Sequence, residues 1–284
     1  MNPEVFINSL PIPVIIPVKN GEKLIGQCLG SVKINSPAEI IVVDGLSTDG
    51  TLEIARKYTT LIFSDEGKGA SFAHQIGAEK ATQEYIAYVD SDIVLPEGTL
   101  AKLYKELNGT DFVSMAAAIK PASVSTYWER AVDWNARLLR ARKKIGGLQA
   151  TLLRKDIVLQ YGFDSFITHG DDLDFVTRVQ QGGHKQGASS IFVYHHHRAD
   201  CKSIYRARLN QATALPRLMK KYGVFKPGFW PPLVAAYWIC VCIVKGKPNY
   251  IPYFVVNGIA QTIGMIKGFF EIIGNNVNGD IKNG

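Results

Sequence analysis

The sequence predicts an α/β fold with a mostly parallel sheet, and three observations carry that reading. Through about residue 120, short apolar runs rich in β-branched residues alternate with segments of helical spacing. Each apolar run ends in a polar or glycine-rich turn. The chain has 284 residues with 46% hydrophobic content, enough for a sizeable core. The same numbers exclude a disordered chain, a collagen and a disulfide-dense mini-protein.

The elements follow in order. Runs at 12–18, 39–44, 60–64, 85–90 and 111–118 read as buried strands. Helical spacing recurs at 22–32, 51–58, 70–81 and 97–107, and Pro96 suits a first helical turn. Residues 124–144 read as a helix, aromatic at one end and basic at the other, and 146–154 as a glycine turn into a strand. Leu173, Val176 and Val179 give 171–181 a helical stripe that Gly182-Gly183 stops. A strand at 187–194 leads into His195-His196-His197, and 199–222 reads as one basic helix. Two uncharged runs follow, 16 residues at 229–244 and 17 at 250–266, joined by Lys245-Gly-Lys-Pro-Asn249. Each would be roughly 25 Å long as a helix, short of the ~30 Å hydrocarbon core. They suit a tight membrane hairpin, two helices in the interface or a buried pair. Polar residues 274–284 read as a flexible tail.

Net charge is +7, and its placement narrows the partners. Eight basic residues lie between Arg198 and Lys226 with Asp200 the sole acid, and Arg137, Arg140, Arg142, Lys143 and Lys144 form a second cluster. Phosphates or anionic lipid headgroups suit such stretches, and the first cluster adjoins the apolar runs, which favours a membrane surface. Stacking aromatics are not interleaved with these cations, so nucleic acid is not expected. The four cysteines include no C-x-x-C pair, which suits a reducing compartment. The first 20 residues lack a basic segment before their proline-broken apolar stretch, so no signal peptide is expected.

Ligands of open α/β sheets bind beyond the carboxyl ends of strands. That rule singles out Lys19-Asn20, Asp44-Gly45, residues 65–69 and Asp90-Ser91-Asp92. Two carboxylates at i and i+2 are hard oxygen ligands for Mg²⁺ or Mn²⁺ on a diphosphate, and equally are caps for the next helix. Asp44 is placed either to accept from a nucleobase or ribose or to close a turn. Thr48 and Asp49 read as helix caps. Glycine-rich 65–69 leads into a helix start that suits phosphate, with Lys68 for charge, but matches neither the P-loop nor the dinucleotide pattern. At 170–178, helical geometry puts Asp171, Asp174 and Arg178 on one face and turns Asp172 away. Those acids suit a general base or a dipole-stabilised first turn, with Asp174–Arg178 a structural pair. Of the three adjacent histidines, one or two can reach a metal or phosphate; a surface cluster is the alternative.

Taken in order, these segments are Pro17-Val-Lys-Asn20, Val43-Asp-Gly-x-Ser-Thr-Asp-Gly-Thr51, Gly69-x-x-x-Ala-His-Gln-x-Gly77-x-x-x-Ala81, Val89-Asp-Ser-Asp92, residues 146–154 and Asp171-Asp-Leu-Asp-Phe-x-x-Arg178. Over about residues 10–222 the set resembles glycosyltransferase family 2, inverting enzymes of GT-A fold. The resemblance implies a Rossmann-like sheet flanked by helices, here followed by two C-terminal apolar helices. Together with the change in composition after residue 228, it divides the chain into a catalytic domain at 1–228, a membrane-associated helical pair at 229–273 and the tail. Asp44 would contact the nucleobase, Asp90 the ribose or donor sugar, and Asp92 a divalent cation, Mn²⁺ or Mg²⁺. Asp172 would be the catalytic base, and a histidine of the triplet, taken as His196, would complete metal or diphosphate binding. Asn20, Lys68 and Gly69 fall on the donor side, Gly147 and Asp171 on the acceptor side. His74-Gln75 stands where the family often has Arg-Asn, and Asp171 replaces a glutamate. No Gln-x-x-Arg-Trp follows the histidines, which favours single-sugar transfer.

The implied partners are a nucleotide-diphosphate sugar, a lipid-linked or glycan acceptor and a membrane, with the catalytic domain cytoplasmic. A polyprenyl-phosphate sugar synthase of the same fold, a nucleotidyltransferase and a non-catalytic membrane-bound scaffold are the rival readings.

Overall fold

Five residues in succession, Ile12 to Ile16, are buried in β1 (Leu10–Val18), as a strand covered on both faces requires. In this computed structural model residues 9–140, 147–165, 167, 170–223 and 230–280 are described. β1 pairs in parallel with β2 (Pro37–Asp44) and β4 (Tyr85–Val89), and β2 with β3 (Ile62–Ser64). Beyond β4 lie β7 (Ala150–Arg154), β6 (Ser114–Pro121), β8 (Gln186–His195) and the two-residue β5 (Ile93–Val94), giving the order β3-β2-β1-β4-β7-β6-β8-β5. The sheet is mixed: six of its eight strands run in one direction, as expected, and β7 and β5 run against them. β7 runs antiparallel to both β4 and β6, and β5 antiparallel to β8. Apolar run length reports burial and carries no strand direction.

Strand alternation feeds two cores. Ile12, Val14 and Ile16 join one cluster with α1 (Ile25–Ile34), α2 (Thr51–Ala55) and α4 (Thr99–Asn108). Ile15 faces the other, with Tyr88 and residues of α3 (Ala70–Lys80), α6 (Lys155–Tyr161) and α7 (Asp171–Gln181). Gly77 lets α3 approach the sheet: a Cβ there would lie 2.2 Å from Ile15 Cγ2. All these elements belong to one compact unit, whose described residues fall within Met1–Ala122, Leu139–Ser165 and Asp171–His196.

A second unit, within Ser123–Leu138, Phe166–Gly170 and His197–Gly284, is helical. It holds α5 (Tyr127–Arg140) up to Leu138, α8 (Cys201–Ala212), α9 (Leu215–Tyr222), α10 (Pro231–Val244), a 3₁₀ turn at Pro248–Tyr250 and α11 (Ile251–Asp280). The basic stretch is thus two helices, broken at Thr213-Ala214, with Pro216 in the first turn of α9. Proline there lacks an N–H to continue α8 yet suits a helix start. Trp238 stacks on Phe254 at 5.4 Å in the core of this unit. α11 meets α8 backbone to backbone: Cβ atoms at Gly264 and Gly268 would lie 2.1 Å from the carbonyl oxygens of Leu209 and Thr213.

Among the described residues no helix is long and apolar enough to cross a membrane. The spanning hairpin is therefore not supported: α10 has 14 residues, about 21 Å, and α11 is interrupted by Asn257, Gln261, Lys267 and Glu271. Helical backbone runs to Asp280, through most of the segment read as a tail. Arg142, Lys143, Lys144, Gly146, Lys226 and residues 281–284 lie outside the described residues.

Candidate active site

Two strand-end loops are tied to each other. Asn20, just past β1, has a left-handed backbone (φ 51°), which asparagine tolerates. Its N–H donates to Ser47 Oγ (2.8 Å), and its Oδ1 accepts from the Thr48 N–H (2.9 Å). Gly21 and Glu22 donate backbone N–H groups to Thr51 Oγ1 (2.8 Å) and Asp49 Oδ2 (3.2 Å). Hydrogen bonding by the Thr51 hydroxyl, chiefly, holds the Asp49 carboxyl below the usual range. Asn20 is thus a latch that sets the shape of the loop after β2.

That loop engages one of the two Asp44 carboxylate oxygens. The residue is buried, Oδ2 accepts from the Ser47 N–H (3.0 Å), and buried Oδ1 has no hydrogen-bond partner. Asp65 follows the neighbouring β3 and donates its N–H to the Asp44 carbonyl (3.0 Å). Its carboxylate accepts from the N–H groups of Gly67 (2.7 Å) and Gly69 (3.1 Å). Gly69 has φ 99°, a glycine conformation, and its amide is engaged by Asp65. Lys68 reaches Glu66 Oε2 at 2.6 Å and lies over the Phe72 ring at 4.4 Å.

The register of β5 on β8 brings the acidic pair to the histidines. Ile93 is opposite His195, the His196 N–H donates to the Asp92 carbonyl (3.0 Å), and His195 Nε2 lies 3.3 Å from Asp92 Oδ2. His196 Nε2 is buried with no hydrogen-bond partner. Burial first and the Asp92 charge second push the Asp90 carboxyl up to about 7, while His74 and His195 pull it down. Cys28 Sγ donates to the Asp90 carbonyl (3.5 Å), and burial raises that thiol far out of the reactive range. No group of three or more His, Cys, Asp or Glu side chains among the described residues is placed to hold a metal by itself. Carboxylate oxygen at Asp92 and imidazole nitrogen at His196 are donor types that divalent cations take.

The third part opens α7. Asp171 Oδ2 lies 2.8 Å from His74 Nδ1, and both side chains are buried. The His74 ring stacks on Phe163 (5.1 Å) and meets the Tyr88 ring edgewise (4.7 Å), while Tyr88 Oη donates to the His74 carbonyl (2.9 Å). Burial opposes charge on this imidazole, yet Asp171, with Asp90 and Asp172, holds it above the ordinary histidine value. Two of the positions that depart from the family pattern, His74 and Asp171, meet in one contact. Asp172 turns elsewhere, as helical spacing predicts. Its Oδ1 accepts from the Leu173 N–H (2.8 Å), and Oδ2 faces Gly147, where a Cβ would lie only 2.0 Å away. Burial, then the Asp171 charge, raises the Asp172 carboxyl. Fully buried Asp174 pairs with Arg178 Nε (2.8 Å), and Arg178 also donates to the Tyr161 and Gly162 carbonyls, the expected structural pair.

One unit thus gathers Asp44, Asp90, Asp92, Asp171, Asp172 and His196, together with Asn20 and Gly147 in supporting turns. Sequence reading missed the anchoring roles of His74, Asp65, Tyr88 and Phe163. Asp65 could have been found as an acid directly after a strand, like Asp44. The His74 contact spans 97 positions and leaves no local signal.

Comparison with known proteins identifies the family. The profile of Glycosyl transferase family 2 matches residues 14–210. Glycosyltransferase AglE of Haloferax volcanii is 27% identical over 194 residues, 62% of this chain and 64% of that protein. The chain thus spans just under two-thirds of that relative's length. TarS 1-349 of S. aureus, solved in complex with UDP-GlcNAc, superposes with a TM-score of 0.55 at 15% identity, covering 89% of this chain and 91% of that one. Glucosyl-3-phosphoglycerate synthase of Mycobacterium tuberculosis, in complex with Mg²⁺ and UDP, gives 0.53 at 16% identity, covering 75% and 79%. At such identities these two structures share the fold alone. Since the family match takes in more than half of the sequence, from β1 into α8, the chain belongs to glycosyl transferase family 2.

Proposed function

We propose that this protein transfers a single sugar, with inversion, from a nucleotide-diphosphate sugar to a hydroxyl of a lipid-linked or glycan acceptor. The observation that carries the reading is the division of labour between two adjacent acids. Asp171 is spent on His74, while Asp172 turns its Oδ2 toward the Gly147 turn. The donor class is supported by the two similar structures, solved in complex with UDP and with UDP-GlcNAc.

The buried, unpartnered Oδ1 of Asp44 suits an N–H of the nucleobase. Asp90 would contact the ribose or donor sugar. Asp92 and His196 would hold the divalent cation, whose chemistry is to neutralise charge on the departing diphosphate. Asp172 accepts the proton of the attacking hydroxyl, and a carboxylate raised by burial is a stronger base near neutral pH. Asn20 and Asp65 hold the donor-side loops, and Lys68 and Gly69 flank them.

A membrane surface, with the site on its cytoplasmic side, is the proposed location. Val255, Ile259, Ile263, Ile266, Phe270 and Ile273 are exposed on α11 at spacings of three and four, one apolar stripe along the helix. A stripe of this kind suits a helix lying on lipid rather than crossing it.

The test is a donor screen with UDP-, GDP- and dTDP-sugars, each with Mn²⁺, Mg²⁺ or EDTA, reading nucleotide released and product formed on membranes carrying lipid-linked acceptors. Turnover of one donor, abolished by EDTA and by Asp92→Ala, is expected. Asp172→Asn should lower kcat at least 100-fold. Full activity of that variant would favour a phosphate acceptor, which is already ionised. Absence of both turnover and nucleotide binding would refute the site.

A further inference from the structure

We infer that His74 is a positioning residue for the base: its buried contact with Asp171 engages that acid and leaves its neighbour Asp172 as the one carboxylate that takes the acceptor proton. This rests on the sugar-transfer reading above.

The geometry gives the reasons. Two adjacent acids in the first turn of one helix, Asp171 buried and Asp172 partly so, compete for ionisation, because each charge disfavours the other. Left alone, the pair would share a proton, and the base would be partly blocked. His74 Nδ1 at 2.8 Å removes Asp171 from that competition. The ring is held for this one task. Phe163 stacks on it, Tyr88 meets it edgewise, and the Tyr88 hydroxyl is spent on the His74 carbonyl. Its Nε2 is buried with no hydrogen-bond partner, so the ring's polar contact is with Asp171. The charged and titratable groups that face the imidazole are Asp171 and Asp172 from α7, and Tyr88 and Asp90 from β4 and its end. Asp172 is faced in turn by Asp171, His74 and Asp90.

Asparagine at position 74 can still donate to Asp171 but supplies no positive charge. In His74→Asn the Asp171 charge therefore stands uncompensated beside Asp172. The acid limb of the kcat–pH profile should move to higher pH by about one unit, the size of an unbalanced neighbouring charge in a partly shielded site. Adding Asp171→Asn to that variant removes the charge and should return the limb toward its original position. A limb that stays put in His74→Asn, with kcat lowered equally at all pH values, would overturn the inference while leaving the sugar-transfer reading intact. So would a shift that Asp171→Asn fails to reverse. A second readout needs no turnover. Imidazole resonances of the intact protein should show one ring, absent in His74→Asn, that keeps its proton above the ordinary histidine range and loses it at lower pH in Asp171→Asn. An ordinary titration of that ring overturns the inference whatever the donor screen gives.

Discussion

Replacing Gly147 by alanine tests whether Asp172 must stand where it does. A Cβ at position 147 would lie 2.0 Å from Asp172 Oδ2, 3.0 Å from its Cγ and 3.5 Å from its Cβ. Ordinary contact begins near 3.4 Å, so the carboxylate oxygen must retreat by about 1.4 Å. Gly147 is not in the left-handed region, so alanine adds no backbone strain there. The clash is with the far end of a rotatable side chain, so the fold absorbs it by turning Asp172. Stability should change by less than about 1 kcal/mol, as for other substitutions that leave the core intact. Catalysis should suffer more, since a misplacement near 1 Å of a reacting group costs about 100-fold. The assay is steady-state transfer with the donor found in the screen, read as kcat and KM separately, beside thermal unfolding of the same preparation. The expected result is kcat down about 100-fold, donor KM little changed and the unfolding midpoint nearly unmoved. A Gly147→Ala enzyme with wild-type kcat would refute the placement of Asp172 as the base.

Two further outcomes follow from the packing. Gly268→Ala puts a Cβ 2.1 Å from the Thr213 carbonyl oxygen, which is backbone and cannot swing aside; urea unfolding should show a loss of about 1–3 kcal/mol in the helical unit. Raised above its unfolded value, His74 contributes stability that is complete below about pH 6.5 and is lost as pH rises through its folded value. The stability difference between wild type and His74→Asn, measured by denaturant unfolding from pH 5 to 9, should shrink with rising pH; a difference that grows with pH would contradict the ion pair.

Much of the site was legible because it sits at strand ends. Asp44 and Asp90 each end an uninterrupted apolar run, and a run of that kind declares both the strand and the turn that follows it, where candidate ligand groups of such sheets lie. Asp171 to Arg178 was legible for a similar reason: helical spacing alone separates Asp172 from the Asp174–Arg178 pair. Lys68 shows the limit. Its place beside a glycine-rich turn suggested phosphate, and the structure shows its ammonium on near neighbours, Glu66 and the Phe72 ring, a choice of side-chain partner that the order of residues does not fix.

The sequence by itself determined the alternation of strand and helix, the burial of the sheet on both faces and the order of the acidic turns. Each of these depends on residues within a few positions of one another. Strand direction was decided by tertiary structure, because the run that became β7 would be as apolar in either orientation. So were the meeting of Asp92 with the histidines through a two-residue strand and the pairing of His74 with Asp171. Those contacts join positions about a hundred residues apart, and hydrogen-bond register and core packing, rather than local preference, bring them together.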